Sequence, residues 1–330
     1  MKRFVSVMLI ALLLLTCFSF TTVSSNIVET TSSGTTLYVD DDGTEEYTSI
    51  QDAIDNASNG DTVFVYSGTY NEHVSIETRI TLRGQDQNTT IIDGGGEDNV
   101  IFISADNVVV SDFTIQGGGD GEHNAGIYIS ASDNHIIQNN IINNKYHGIY
   151  FDSDEEDPGR NNISKNYISK NKYGIYSFGK NEDTIIYKNI IERNSDSGII
   201  LSESIIVKSN IISQNRDKGI NCKRYCKISN NIISNNKNGL FFGFYDQWNE
   251  IHHNQITENE FGIDTSDCEL GQMICVNYIY KNNFIDNSRI IYNYINWFNF
   301  NNNYWGRPCV IKYIFPFNFD LNPAKEPFDI

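Results

Sequence analysis

The sequence predicts an all-β fold, a single-stranded right-handed parallel β-helix made of stacked three-strand coils. Three observations support it. Asparagine accounts for 43 of the 330 residues, far more than helices or ordinary strands accept. Hydrophobic residues make up 39% of the chain, which is too many for a disordered polymer. A phrase of about 22 residues also recurs seven times, and such a period indicates a repeat architecture.

The repeat is aligned on one asparagine per copy. The steps between copies are 26, 23, 21, 21, 23 and 28 residues. Isoleucine or valine lies three residues before each asparagine, and a second asparagine follows five residues after it in six of the seven copies. The aligned residues are Asn140, Asn166, Asn189, Asn210, Asn231, Asn254 and Asn282. Like residues of stacked coils lie about 4.8 Å apart, so these amides are expected to form an internal hydrogen-bonded ladder.

A glycine lies eight or nine residues after the aligned asparagine in the first six copies. These residues are Gly148, Gly174, Gly198, Gly219, Gly239 and Gly262. We expect them at corners, where glycine adopts backbone angles that other residues resist. Each copy then has three apolar runs separated by asparagine and glycine, which suits three strands and three corners per coil.

The chain divides into four parts. Residues 1–25 have a basic start, an apolar run and a small-residue end, as in a secretory signal peptide. A linker over 26–35 leads to the β-helix at 36–305, with its clear repeats at 126–289. Residues 306–330 lose the period and predict an irregular, aromatic C-terminal cap.

A short N-terminal helix is expected to cover the open end of the stack. It lies in "TSIQDAIDNASNGDTVFVYSGTYNEHVSI" (48–76), where Thr48 or Ser49 can cap its first turn. Its apolar stripe consists of Ile50, Ala53, Ile54 and Ala57. Covering the first coil would hide core and strand edges that are otherwise unpaired.

Charge and export restrict the partners. The formal net charge of −18 argues against nucleic acid or an anionic membrane surface. The signal peptide predicts a secreted, periplasmic or cell-surface protein with no membrane span in the mature chain, and we expect a monomer. Export permits disulfides, and the close pairs Cys222/Cys226 and Cys268/Cys275 are the candidates. Buried free thiols are the alternative.

The repeat "N-x-I-x-x-N…GI" resembles those of the pectin-lyase-like superfamily of right-handed parallel β-helices. It is most similar to the group described as periplasmic copper-binding, NosD-like proteins, and the likeness covers about residues 36–305. The resemblance implies a protein that binds or processes polysaccharide, or a surface protein. A copper role is not expected, because few soft or imidazole ligands follow the signal peptide.

The residues favour no catalytic centre. Paired aspartates that repeat across adjacent coils, as a polygalacturonase-type hydrolase needs, are missing from the sequence. His147 occupies a position that holds other residues in other copies, so a turn role is expected for it. The insertion "FDSDEEDPGRNN" offers Asp152, Asp154, Glu155 and Asp157 as calcium ligands, and a solvated acidic loop is the alternative.

One outward-facing strip is suggested by the alignment. The residue two after each repeat glycine follows an inward isoleucine, so Tyr150 and Tyr176, and likewise Tyr128 after Gly126, should point outward. Stacked aromatic rings can pack against sugars, and Lys165 lies near in sequence to meet an anionic glycan. Ordinary strand preference for tyrosine is the alternative.

Together these features predict a secreted or cell-surface β-helix that contacts extracellular polysaccharide without catalysis. A calcium-assisted polysaccharide lyase or epimerase, and a structural or adhesive surface protein, are the alternatives. Calcium is the one cofactor that these residues suggest.

Overall fold

A computed structural model describes residues 34–152, 159–243, 246–267, 277–292, 298–306, 312–314, 318–320 and 323–330. The predicted signal peptide and most of the linker lie outside these residues. The described chain is a parallel β-solenoid in which three successive strands form each coil. The predicted right-handed parallel β-helix is therefore confirmed. Among the described residues, no helix has the length and apolar character needed to cross a membrane.

Each coil contributes one strand to each of three parallel sheets. Sheet A contains β1 (Thr36–Val39), β2 (Thr62–Val65), β5 (Thr81–Gly84), β8 (Val109–Ser111), β11 (His135–Ile137), β14 (Asn162–Ser164), β17 (Ile185–Tyr187), β20 (Ile206–Lys208), β23 (Lys227–Ser229), β26 (Glu250–His252), β29 (Asn277–Tyr280) and β32 (Phe298–Asn301). Sheet B contains β3 (Gly68–Tyr70), β6 (Thr90–Asp93), β9 (Thr114–Gln116), β12 (Asn140–Ile142), β15 (Tyr167–Ser169), β18 (Ile190–Glu192), β21 (Ile211–Ser213), β24 (Ile232–Ser234), β27 (Gln255–Thr257) and β30 (Asn283–Ile285). Sheet C contains β4 (Val74–Ile76), β7 (Ile101–Ile103), β10 (Ala125–Ile129), β13 (His147–Phe151), β16 (Tyr173–Ser177), β19 (Ile199–Glu203), β22 (Lys218–Arg224), β25 (Asn238–Phe241), β28 (Phe261–Asp264) and β31 (Arg289–Tyr292).

Both ends of the stack are covered. Helix α1 (Ile50–Asn56) packs on β1, β2 and β4, and buries Ile50, Ala53 and Ile54 as predicted. The hydroxyl of Ser49 accepts the backbone N–H of Asp52, which makes Ser49 the N-cap.

At the other end, Trp305 is buried and stacks on Phe284 at 4.8 Å between ring centroids. The C-terminal tail is hydrogen-bonded to β30, because the backbone N–H and C=O of Phe328 bond the side chain of Asn283, each at 2.8 Å. An antiparallel hairpin of β33 (Lys312–Ile314) and β34 (Asn318–Asp320) belongs to this end.

The predicted asparagine ladder stands at the corner between sheets A and B. Asn210 shows its geometry: its side-chain oxygen accepts both the backbone and side-chain N–H of Asn189, at 2.9 and 3.0 Å. Its own amide donates to Asn231 Oδ1 at 3.0 Å and to the carbonyl of Ile186 at 2.9 Å. The ladder consists of Asn139, Asn166, Asn189, Asn210, Asn231, Asn254, Asn282 and Asn303. Buried backbone groups at each corner thus find partners within the stack.

The alignment on Asn140 was wrong by one residue. Asn140 lies in β12 and pairs with Tyr167, whereas Asn139 bonds Asn166. The shifted register also places Asn144, not Lys145, in a second ladder at the corner between sheets B and C. That ladder consists of Asn144, Asn171, Asn194, Asn215, Asn236, Asn259 and Asn287.

The repeat glycines have a different role from the expected one. None of the six has a positive φ, and left-handed corners are instead formed by residues such as Lys165 (φ 59°). The glycines lie where adjacent coils approach closely. A Cβ atom on Gly219 would lie 2.7 Å from the backbone oxygen of Gly239 and 2.7 Å from Ile233 Cγ2. Glycine is therefore needed for space rather than for backbone freedom.

Candidate functional site

A column of four aromatic rings runs along the outer face of sheet C. Phe102, Tyr128, Tyr150 and Tyr176 occupy the same register position on β7, β10, β13 and β16. Successive ring centroids are 5.3, 5.2 and 5.7 Å apart. The flanking isoleucines face the core, so strand alternation turns these rings outward. The predicted stacking of the three tyrosines is therefore present, and Phe102 extends the column.

A cleft of about 270 Å³ lies beside the column. Its lining residues are Glu122, His123, Tyr146, His147, Tyr150, Tyr173, Tyr176 and Phe178. His123, from the segment between β9 and β10, stacks on Tyr150 with centroids 5.5 Å apart and planes 16° apart. Tyr150 is consequently only 3% exposed, whereas Tyr128 and Tyr176 are half-buried. The middle ring of the predicted strip is thus covered, because a loop outside the repeat folds over it.

His147 is a buried, neutral hydrogen-bonding group in this cleft. Its Nε2 lies 2.9 Å from the carbonyl oxygen of Glu122, and an acceptor oxygen requires that Nε2 carry the proton. Nδ1 is buried and finds no hydrogen-bond partner within the described part of the chain. Burial lowers the pKa of His147 to about 4, so the ring is neutral at pH 7. The cleft is therefore backed by a neutral imidazole whose Nδ1 acceptor is closed to solvent.

The charges around the cleft are mostly negative. The Tyr128 hydroxyl donates to Asp152, and Glu122 lines the wall. Burial, with a smaller effect from Asp196, raises the pKa of Tyr173 to about 12, so its hydroxyl stays protonated. The cation nearest these rings is Lys172, whose Nζ lies 3.9 Å from the centroid of Tyr146.

Lys165 does not belong to the cleft. It is exposed at the corner between β14 in sheet A and β15 in sheet B, whereas the tyrosines lie on sheet C. Lys188 occupies the equivalent corner of the next coil, with its Nζ 4.9 Å from the ring centroid of Tyr187. Pairing Lys165 with the tyrosines was therefore wrong, because nearness in sequence does not mean the same face of a coil.

The calcium prediction falls mainly outside the described residues, which omit Asp154, Glu155 and Asp157. Asp152 is described, and it accepts the Tyr128 hydroxyl. Within the described segments, no three His, Cys, Asp or Glu side chains are grouped to hold a metal ion. Calcium binding by residues 152–157 stays a prediction.

The predicted Cys222–Cys226 disulfide is not formed, and both residues are buried free thiols. Burial, with a smaller effect from Cys226, raises the pKa of Cys222 well above its usual value. Cys226 lies at the corner between sheets C and A, directly before Asn249 and Asn277, whose side chains bond each other from coil to coil. The backbone N–H of Cys226 donates to Asn249 Oδ1 at 2.9 Å. The thiols thus serve as small core side chains. Cys268 and Cys275 lie outside the described residues.

Sequence reasoning missed part of the cleft. His147 was expected in a turn, but it begins β13 and lies against four tyrosine rings. The available signal was aromatic density in two successive copies, "KYHGIYF" (145–151) and "KYGIYSF" (172–178). The stacking of His123 on Tyr150 could not be predicted from the repeat, because His123 lies in a segment outside it.

Three parallel sheets around a continuous apolar core define a parallel β-solenoid, and an aromatic cleft lies on one of its outer faces. More specifically, the chain belongs to the family described as "Right handed beta helix region", whose model matches residues 98–267, slightly over half of the chain. No curated protein matches the sequence.

Solved structures share the fold. Pectate lyase Pel9A aligns with a TM-score of 0.63 at 13% identity, covering 79% of this chain and 78% of its own. An alginate lyase from Paenibacillus sp. str. FPU-7 aligns with a TM-score of 0.56 at 13% identity, covering 80% of this chain and 99% of its own. A third structure is tailspike protein gp49 of Acinetobacter baumannii bacteriophage Fri1, a capsular polysaccharide depolymerase. It aligns with a TM-score of 0.54 at 9% identity, covering 78% of this chain and 57% of its own. Such low identity shows the fold alone.

Proposed function

We propose that this protein is secreted or held at the cell surface, and that it binds a polysaccharide on the outer face of sheet C without cleaving it. The observation that carries the proposal is the in-register column of Phe102, Tyr128, Tyr150 and Tyr176 beside an aromatic cleft. A pectate lyase, an alginate lyase and a capsular polysaccharide depolymerase have similar folds. Because these proteins act on polysaccharides, they support this ligand class.

The spacing of the column suits a chain of sugars. Ring centroids repeat every 5.2 to 5.7 Å along sheet C, close to the length of one sugar unit. A glycan lying parallel to the solenoid axis would contact the half-buried rings of Phe102, Tyr128 and Tyr176 and pass over the covered Tyr150. The half-buried Tyr176 and the 46% exposed Phe178 give it direct apolar contact.

The charges favour an uncharged glycan. Glu122, Asp152 and Asp196 lie beside the rings, and the cation Lys172 lies against Tyr146. An anionic uronate chain would be repelled unless a cation such as calcium bridged it. The positive charge that Lys165 was expected to bring to the tyrosines is not found on the outer face of sheet C.

A glycan array with and without millimolar calcium tests the proposal. The wild-type protein should retain an uncharged polysaccharide, and Phe178→Ser should weaken retention several-fold because it removes an exposed ring from the cleft wall. Ile211→Ser is the matched control, since Ile211 is 42% exposed on sheet B. Wild-type protein that retains no glycan would refute binding and favour a structural or adhesive role.

A polysaccharide lyase or epimerase is the second candidate. It is favoured by the neutral ring of His147, which packs against the rings of Tyr150 and Tyr176 in one cleft; its buried Nδ1 would act as a base only in a conformation that opens it to the glycan. A lyase would remove the proton next to the uronate carboxyl and protonate the departing glycosidic oxygen, leaving an unsaturated sugar. Incubating retained glycans with the protein and following ultraviolet absorbance decides the question. A rise in absorbance that His147→Asn abolishes would replace the non-catalytic proposal.

A further inference from the structure

A second aromatic cluster lies on the outer face of sheet A, at the coils of β23, β26 and β29. It lines an open groove of about 420 Å³. The lining residues are Tyr225, Cys226, Lys227, Trp248, Glu250, Tyr278 and Tyr280. Three of these rings are open to solvent: Tyr225 is 54% exposed, Trp248 43% and Tyr278 38%. The cluster thus presents a concentration of large apolar surface that contributes little to the core.

Two of the three exposed rings occupy unfavourable backbone positions. Tyr225 and Trp248 stand at the corner between sheets C and A with φ of 55° and 61°. The same left-handed corner position in the preceding coils is filled by Asn107, Asp133, Arg160, Asp183 and Ser204. Left-handed backbone suits asparagine and aspartate and disfavours bulky residues. Since polar residues fill this corner in five other coils, folding does not require aromatic rings there.

The cluster has polar groups at the edges of its rings and no excess of charge. Lys227, Glu250 and Tyr278 are direct neighbours on three successive strands, so one cation stands beside one anion. The Tyr280 hydroxyl donates to Glu250. Burial is the larger cause and this carboxylate the smaller cause that raise the pKa of Tyr280 to about 12. Trp248 and Tyr278 form two inclined walls, with centroids 6.5 Å apart and planes 36° apart.

We propose that this cluster is a second saccharide-binding site, which takes the pyranose ring of an uncharged glycan. Trp248 and Tyr278 would contact the C–H faces of the sugar, while Lys227 and Glu250 would bond its hydroxyls. A polyanion would gain no net electrostatic attraction at this cluster, because the charges of Lys227 and Glu250 cancel. The site lies on sheet A, and the cleft of Tyr150 and Tyr176 lies on sheet C, so either can exist without the other.

Tryptophan fluorescence of the full chain tests the proposal, because Trp248 is exposed and Trp305 is buried. The third tryptophan, Trp297, lies outside the described residues, so a change in emission is assigned to the cluster only if Trp248→Asn removes it. The probes are cellotetraose, mannotetraose and xylotetraose, with tetragalacturonate as the charged counterpart. We expect an uncharged probe to change the emission, and Trp248→Asn to weaken binding measured by calorimetry at least tenfold. Tyr38→Ser is the matched control, since Tyr38 is a 42% exposed ring on β1 and should leave binding unchanged.

The Trp248→Asn variant also separates binding from folding. Asparagine is favoured in left-handed backbone, so its melting temperature should equal or exceed that of the parent. A clear fall would mean that the ring is structural, and Tyr278→Ser then has to show the loss of binding by itself. Emission that responds to no probe, that responds equally to tetragalacturonate, or that shifts only with phosphatidylcholine vesicles would overturn the proposal. Phe178→Ser must leave the response intact, which distinguishes this site from the cleft on sheet C.

Discussion

Replacing Asn210 with alanine removes one rung from the middle of the first ladder. The backbone N–H of Asn189 and the carbonyl of Ile186 lose their bonds to the Asn210 side chain. The amide of Asn189 keeps its bond to Ile163, and Asn231 Oδ1 keeps the backbone N–H of Asn210, so the damage stays local. A buried polar group left unpaired costs about 1–3 kcal/mol. With two such groups, we expect the free energy of unfolding to fall by about 3 kcal/mol.

Urea denaturation followed by circular dichroism measures this loss. The midpoint should move to lower urea with an unchanged slope, because the surface exposed on unfolding is nearly the same. Asn71→Ala is the control, since Asn71 is exposed and should change the free energy by less than about 0.5 kcal/mol. A similarly small change in Asn210→Ala would refute the idea that the ladder stabilises the stack.

Three further outcomes follow from the packing. Burial lowers the pKa of His147 to about 4, so as the pH falls below 6.5 this histidine is protonated in the unfolded chain before it is protonated in the folded protein. The free energy of unfolding of the parent should therefore fall by up to about 3 kcal/mol by pH 4 through this residue. In His147→Asn, denaturation measured across the same pH range should lack this contribution. Gly219→Ala should lower the free energy of unfolding by about 1–3 kcal/mol, because its Cβ meets the backbone of Gly239; an unchanged melting curve would contradict this close approach. Cys222 and Cys226 should be alkylated only when the core opens, and rapid labelling in native buffer, mapped by mass spectrometry, would show that they are not buried.

The fold was predictable because each coil contacts mainly its neighbours. A period near 22 residues therefore fixes both the strands and the asparagine that satisfies each corner. The one error of register arose at the doubled Asn139 and Asn140, where spacing alone does not say which amide turns inward. Backbone pairing of Asn140 with Tyr167 leaves Asn139 for the ladder. The role of the repeat glycines was also hidden, because it depends on the distance between coils.

The candidate sites were only partly predictable. Strand alternation gave the outward column of Tyr128, Tyr150 and Tyr176, since that rule is local. The covering of Tyr150 by His123 depends on a loop from another part of the coil, and no repeat pattern encodes it. The exposed pair Trp248 and Tyr278 joins residues that are 30 positions apart in the chain and lie on successive coils.

The sequence by itself determined the solenoid, its ladders and the direction of the tyrosine column, because stacking turns a repeated residue into a repeated position. Only the tertiary structure decided which charges stand beside those rings. Lys165 and Lys172 are seven residues apart, yet one lies between sheets A and B while the other lies against Tyr146 at the edge of sheet C. A coil turns through three faces in about 22 residues, so a few residues of chain move a charge to another side of the molecule. That turn is why the basic setting expected for the column is replaced by an acidic one.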